Sequence, residues 1–430
     1  MKRKRQQKPE QCSNCHDYHK LANCPITFCT FCYEPDYKKD HKCNRAYVKS
    51  KLNSIGSYLR YVRNLLITKD YDALKAQLQE ERPSYNICSP GWINDFVGRQ
   101  YESPAIPTFI NTLDFEQKMS TATWKVPFKI SNLEADVNPI TVDDIVQFVG
   151  PDEVMDVFDV HTQVTESMKM KTFGEKWNSS NRERILNSIS LKISPANPFF
   201  HCPEFIKSIS WQQKITTLPK CMQLKDVDYH HYCLMTMGGS FTNFHADYSG
   251  SSAYLYCYKG HKIFYLIEPT EKNMEEYSHW DREASTTPFI LDSELRASIK
   301  QVVLQEGETL YLPGGYFHAV FTPEDSITFS GNFLHEHNIP IQLKVHSIDV
   351  EMAGKNYQMQ EFELINSFIA YQIFFKDLKT IEVMPNADFK CLVPFIQEWI
   401  KNKLISDYEK KMKQTLKNMI TFYHISQLQQ

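Results

Sequence analysis

The residues best suited to chemistry sit in FTNFHADYSG, where His245 and Asp247 are separated by one alanine. Two histidines and a carboxylate on one face of a metal, with three positions left open, make the ligand set of a non-haem iron(II) oxygenase. The pair can converge on one ion where a strand runs out into a turn, and Tyr248-Ser249-Gly250 has that turn chemistry. A third ligand must come from a distant strand that returns beside the first. His318 in YLPGGYFHAVF is the best placed, delivered by the turn Pro313-Gly314-Gly315. His335 and His337 compete for the role, but they follow Phe333-Leu334, where the β pattern ends.

An iron(II) site of this kind takes an organic acid that chelates the metal through one end. The far carboxylate of that acid, buried among strands, needs a cation and a hydroxyl. KGHKIFYLI offers Lys262 in an otherwise apolar strand, and Thr242 precedes His245 by three positions. A lone buried lysine is costly without an anion; the alternative is a solvent-facing lysine on an edge strand.

A second cluster lies at the start of the chain. Of twelve cysteines, six fall between residues 12 and 43, which speaks against an evenly spread disulfide framework and for a reduced, metal-built module. The ligand types come in pairs, Cys12/Cys15, His19/Cys24, Cys29/Cys32 and His41/Cys43, and two CxxC clips are a strong sign of tetrahedral zinc. If the pairs alternate, Cys12, Cys15, Cys29 and Cys32 hold one structural Zn(II), and His19, Cys24, His41 and Cys43 a second, with His16 an alternative to His19. So short a segment needs such a staple to fold. Tyr18, Phe28, Phe31 and Tyr33 are among its aromatic residues. Residues 1–51 carry twelve Lys/Arg against five Asp/Glu in a chain of net charge −3, so a basic head precedes an acidic body. Such a head suits DNA or another anionic surface, and MKRKR could serve nuclear import.

The elements that must position these groups follow from pattern. Residues 47–81 repeat apolar positions at helical spacing, and RPSYNICSPGW (82–92) reads as a boundary. TVDDIVQFVG (141–150) has a helix's start and stop, Thr141 as N-cap and Gly150 as terminator. VMDVFDV (154–160) alternates like a strand, and short strands with Gly/Pro turns dominate residues 231–335, which argues for a barrel or sandwich. The polar stretch 271–297 reads as an insertion. Helical patterns return in 362–378 and 393–420. The resulting division is 1–45 basic tail and finger, 46–92 helical linker, 93–230 the lead-in region, 231–340 the β core, and 341–430 a C-terminal helical domain. No apolar run is long enough to span a bilayer.

Taken together, ILNSISL, YCLMTM, FTNFHADYSG, KGHKIFYLIEPT and GETLYLPGGYFHAVFTPEDSITFSGNFLH closely resemble the jumonji-C histone lysine demethylases. The nearest group is the one with a plant homeodomain finger before the catalytic domain, together with the related CXXC-finger group. The resemblance covers roughly residues 93–420. The N-terminal finger is shorter than a plant homeodomain finger and lacks its final CxxC.

The resemblance implies an α+β chain built on a double-stranded β-helix, with flanking helices, a C-terminal helical domain and a small zinc finger. It implies Fe(II) held by His245, Asp247 and His318, O2 and 2-oxoglutarate as cosubstrates, and a 2-oxoglutarate carboxylate held by Thr242 and Lys262. Tyr232 falls at the cosubstrate end, and Asn187, Ile189 and Asn332 line the methyl-lysine pocket. It further implies a nuclear protein acting on mono- or dimethyl-lysine of a histone H3 tail, of the lysine 9 or lysine 27 type, in nucleosomes. The sequence departs from the family at Ala246, at Tyr248-Ser249, and at Leu255, which stands between Tyr254 and Tyr256 where a cosubstrate-touching tyrosine is usual. Two rivals remain on the residues alone: a protein hydroxylase of the same fold, and a catalytically silent chromatin binder.

Overall fold

The computed structural model describes residues 96–97, 99–120, 122–132, 139–160, 164–180, 182, 184–194, 196–216, 231–282 and 294–353, together with 365–366, 391–392 and 394. The finger segment 1–45, the linker 46–92 and nearly all of the two C-terminal helical stretches lie outside the described residues.

Among the described residues thirteen strands form two sheets. The larger has the order β1-β2-β11-β8-β13-β6-β5-β3-β4 and the smaller β10-β9-β12-β7. The strands are β1 Thr108–Asn111, β2 Phe128–Asn132, β3 Val154–Asp159, β4 Val164–Lys169, β5 Leu186–Lys192, β6 Tyr232–Thr236 and β7 Ser240–His245. They continue as β8 Ser252–Lys259, β9 Lys262–Ile267, β10 Lys300–Leu304, β11 Thr309–Leu312, β12 Phe317–Thr322 and β13 Ser326–Phe333. β1 and β2 pair in parallel; every other strand pairing is antiparallel. Side chains of both sheets meet around one pocket, so the sheets face each other, an arrangement that fits the double-stranded β-helix expected from the sequence.

Among the described residues the α-helices that flank the sheets are α1 Thr112–Lys118, α2 Val142–Val149, α3 Met170–Asn178, α4 Glu204–Ile209, α5 Trp211–Thr216, α6 Glu271–Arg282 and α7 Ile339–Ala353. None is long and apolar enough to cross a membrane. α2 starts where its sequence says it should. Thr141 caps the Asp144 amide, and the Asp144 carboxylate returns the bond to the Thr141 amide at 2.8 Å. Gly150 ends it at φ 115°, open to glycine and strained for other residues. Within the stretch that reads from sequence as a polar insertion, Glu271–Arg282 forms α6 and Glu294–Ser298 a 3-10 turn.

The apolar strand faces bury rings rather than aliphatics alone. Phe115, Trp124, Phe128 and Tyr311 are fully buried and in mutual contact, with Phe128 stacked on Tyr311 at 4.6 Å. Such pairs add about 1 kcal/mol each beyond the area they bury. Phe96 joins Phe241, Phe244 and Tyr265 into a second aromatic group, covering the face of the small sheet that turns away from the pocket with the chain that leads into it.

Candidate metal centre

His245 is the last residue of β7 and stands directly across from His318 on β12, their rings 4.2 Å apart. Asp247 follows in extended backbone (φ −63°, ψ 141°). Positions two apart in extended chain share a face, so its carboxylate comes to the same side as His245, while Ala246 turns the other way and packs on the core. The three ligand atoms lie within 4.8 Å of one another, with Asp247 Oδ1 3.9 Å from His318 Nε2. Among the described residues no other group of three His, Cys, Asp or Glu comes this close.

Each imidazole is oriented from behind. Nδ1 of His245 faces the Asn243 carbonyl at 2.8 Å, and Nδ1 of His318 faces the Tyr316 carbonyl at 3.1 Å. A carbonyl only accepts, so both Nδ1 atoms carry the proton and both Nε2 lone pairs are left for a ligand, the arrangement metal-bound histidines use. Burial, reinforced by the neighbouring His245, holds the His318 pKa down to about 4. His318 is therefore neutral, the state a metal requires.

The chain between and after the ligands is pinned. The Ala246 amide donates to the Tyr277 hydroxyl of α6 at 3.3 Å. Ser249 sits at φ 56°, ψ 26°, a left-handed conformation that costs a serine about 1 kcal/mol.

A β-bulge brings Thr242 to the site. Opposite the two-residue step from His318 to Val320, β7 runs three residues, His245 to Thr242. The extra residue reverses the alternation, so Thr242 and His245 both face inward. A second bulge in β5, between Ser188 and Leu191, turns both Ile189 and Ser190 toward the mouth.

Lys262 is buried at the first position of β9. Its ammonium donates to Thr236 Oγ1 at 3.0 Å and to Thr322 Oγ1 at 3.1 Å. Thr236 donates in turn to Asn187 Oδ1 at 2.8 Å, and Asn187 Nδ2 donates to Thr242 Oγ1 at 3.3 Å. No carboxylate of a described residue lies within ion-pair distance of Lys262, and burial alone pulls its pKa down to about 8. A buried ammonium whose protein partners are hydroxyls attracts an anion.

The triad and Lys262 open into the same pocket of about 250 Å³. Every residue singled out from the sequence for this region lines it: Thr242 and Lys262, the three ligands, and Asn187, Ile189, Tyr232 and Asn332. Thr322 and Ser330 also line it, and Thr236 supports Lys262; none of these was singled out. Counting by twos from His318 reaches Thr322, and from Tyr232 reaches Thr236, so strand alternation carried that signal. Leu255 faces the pocket, whereas Tyr254 and Tyr256 face the core behind, Tyr254 bonded to His231 and Tyr256 stacked on Phe200. Neither tyrosine can replace the side chain missing at 255. His335 and His337 stand apart from the pocket: His335 is buried against the Ser252 and Tyr311 hydroxyls at 2.9 and 3.1 Å.

Comparison with known proteins gives the same placement. The cupin-like domain family model matches residues 121–339. Histone lysine demethylase PHF8 of Danio rerio is 28% identical over 317 residues, 71% of this chain and 30% of its own length. Lysine-specific demethylase 7A of Homo sapiens is 31% identical over 281 residues, 62% of this chain and 29% of its own. Lysine-specific demethylase 2A of Xenopus tropicalis is 34% identical over 225 residues, 49% of this chain and 19% of its own. The chain thus spans less than a third of the length of these relatives. Since the match takes in just over half of the residues, every strand of the facing sheets but β1, and all three candidate ligands, the chain belongs to the cupin-like domain family.

Proposed function

We propose that this chain is an Fe(II)- and 2-oxoglutarate-dependent dioxygenase that demethylates mono- or dimethyl-lysine on a histone H3 tail. The observation that carries the reading is that a His-Asp-His cluster and a buried, anion-seeking lysine open into one pocket. The donor set fits the metal: two imidazoles with Nε2 turned inward and one carboxylate are the facial triad of ferrous oxygenases. The opposite end fits a dicarboxylate, because Lys262 and Thr242 offer an ammonium and a hydroxyl where no protein anion is present among the described residues.

In this reading His245, Asp247 and His318 hold Fe(II), and Lys262 and Thr242 hold the far carboxylate of 2-oxoglutarate, with Tyr232 beside it. Iron with 2-oxoglutarate and O2 supplies hydroxylation of an N-methyl carbon, whose product loses formaldehyde. The chain's own work is placement. Asn187 locks Thr242 and Thr236 by opposite ends of its amide, so the carboxylate site is formed before anything binds. Lys262 is buried, and the lower dielectric around it strengthens its hold on an anion. Ile189 and Asn332, one apolar and one polar, flank the mouth where the methylated side chain enters. The relatives named as lysine demethylases support the substrate class. The lysine 9 or lysine 27 choice, nuclear location, a DNA contact through the basic head, and two zinc ions held by Cys12, Cys15, His19, Cys24, Cys29, Cys32, His41 and Cys43 complete the proposal.

The test is a mass-spectrometric scan of methylated H3 and H4 peptides incubated with the chain, Fe(II), 2-oxoglutarate and air. The expected result is loss of methyl mass with matching formaldehyde, abolished by His245→Ala. Hydroxylated peptide without formaldehyde would make the chain a hydroxylase instead. Peptide binding with no turnover would make it a silent binder.

A further inference from the structure

One helix grips both turns that carry the candidate ligands. α7 presents Gln342, His346 and Asp349 along one stripe, spaced four and three residues apart. Gln342 Nε2 donates to the Ser249 carbonyl at 2.8 Å, the Ser249 amide donates to Asp349 Oδ2 at 2.8 Å, and the Ser249 hydroxyl makes a short hydrogen bond with His346 Nδ1. The carbonyl, amide and hydroxyl of a single residue are all taken by this stripe. Ser249 is buried and is the one non-glycine with positive φ among the described residues. Such a conformation persists where the surroundings over-determine it.

The same helix reaches the other turn. Asn338, just ahead of α7, donates to the Gly314 carbonyl at 2.7 Å, and Ile341 and Val345 are the side chains nearest Gly315. The two turns also meet directly: a Cβ on Gly314 would overlap the Gly250 carbonyl oxygen, and one on Gly250 would lie 2.6 Å from the Gln342 carbonyl oxygen. Asp247 immediately precedes the first turn and His318 follows the second by three residues.

We infer that α7 is a brace that sets the Asp247 carboxylate against the two histidines, with His346 and Asp349 as positioning residues acting through Ser249. The inference rests on the metal reading of the triad. Strand pairing places His245 opposite His318, but Asp247 lies outside β7 and takes its direction from the turn that α7 holds.

The test is Mn(II) affinity by electron paramagnetic resonance, measured with the melting temperature on the full chain without cosubstrate. Asp349→Ala and His346→Ala are expected to raise the Mn(II) Kd about tenfold or more, the range seen when groups behind metal ligands are removed. Ser249→Gly in the Asp349→Ala background is expected to recover part of that loss, because glycine adopts φ near 56° without the steric cost a serine bears. A destabilised but correctly assembled site would show a lower melting temperature with unchanged Kd and no rescue, and that outcome overturns the brace. Should Asp349→Ala fail to fold, Ser249→Ala retains the amide bond to Asp349 and loses only the hydroxyl; a wild-type Kd in that variant also overturns it. Wild-type protein that binds no Mn(II) defeats the metal reading itself, a different failure from wild-type binding that the variants leave untouched.

Discussion

Thr242 and His245 face the same pocket although three residues separate them, because β7 carries one residue more than β12 along this stretch. In a regular strand one of the two would point into the core. The bulge gives the proposed metal end and the proposed carboxylate end of the site to a single strand, so their spacing is fixed by backbone rather than by packing.

That division predicts separable losses. Thr242→Val keeps the shape and removes the hydroxyl. A hydrogen bond to a charged group contributes about 1.5–3 kcal/mol, so 2-oxoglutarate affinity is expected to fall roughly tenfold or more, with Mn(II) affinity unchanged. Calorimetric titration of each ligand separately checks this, and an equal loss of both would show that the two ends are not independent.

Lys262 predicts a pH dependence of definite sign. Its pKa is about 8 in the fold and 10.5 in the unfolded chain, so between those values the unfolded state binds more protons. Stability of the unliganded protein is therefore expected to rise from about pH 8 to about pH 10.5. Affinity for 2-oxoglutarate is expected to fall over the same range, since the neutral amine attracts no carboxylate. Lys262→Met should abolish the rise, leave the melting temperature at neutral pH equal or higher, and weaken 2-oxoglutarate binding on the order of 100-fold. A large destabilisation by Lys262→Met would show the lysine to be a structural group.

Much of this site was legible in the sequence, and the reasons are specific. His245, Asp247 and Thr242 lie within six residues, and Lys262 announces itself as a charge in an apolar strand. His318 was legible through the Pro-Gly-Gly turn before it. The Thr236–Asn187–Thr242 chain of hydrogen bonds was not, because it joins three strands and depends on a bulge that no local pattern marks. Nor was the role of α7: Gln342, His346 and Asp349 read as ordinary polar residues until the helix is docked on Ser249. The preference for His318 over His335 rests in the sequence on where the β pattern ends; that His318 stands directly across from His245 needs the register of β12 against β7.

Gly314 predicts a packing limit. A methyl group there must displace the Gly250 backbone, which α7 presses from the other side. Gly314→Ala is expected to cost about 2–3 kcal/mol in urea unfolding, as overpacking of a rigid site does, and to weaken Mn(II) binding. Gly307→Ala, with open space around it, tests for a general glycine effect, although its φ of 83° carries a strain of its own. Loss of Mn(II) affinity in both variants alike would refute the local explanation.

Tyr277 predicts a split between stability and metal binding. It sits on α6, in the stretch that reads from sequence as a polar insertion, yet it touches both ligand-bearing segments. Its hydroxyl accepts from the amide of Ala246, between His245 and Asp247, and its ring stacks on Phe317, next to His318, at 4.2 Å and 19°. Tyr277→Phe keeps the ring and deletes the hydroxyl. With a net hydrogen bond at about 1 kcal/mol, the Mn(II) Kd is expected to rise about fivefold while the melting temperature barely moves. Tyr277→Ala also removes the buried ring and is expected to cost about 3–5 kcal/mol of stability. If Tyr277→Phe lowers stability and leaves Mn(II) binding alone, the hydroxyl serves the fold, and the backbone between the ligands is held by the strand and its turn without help from α6.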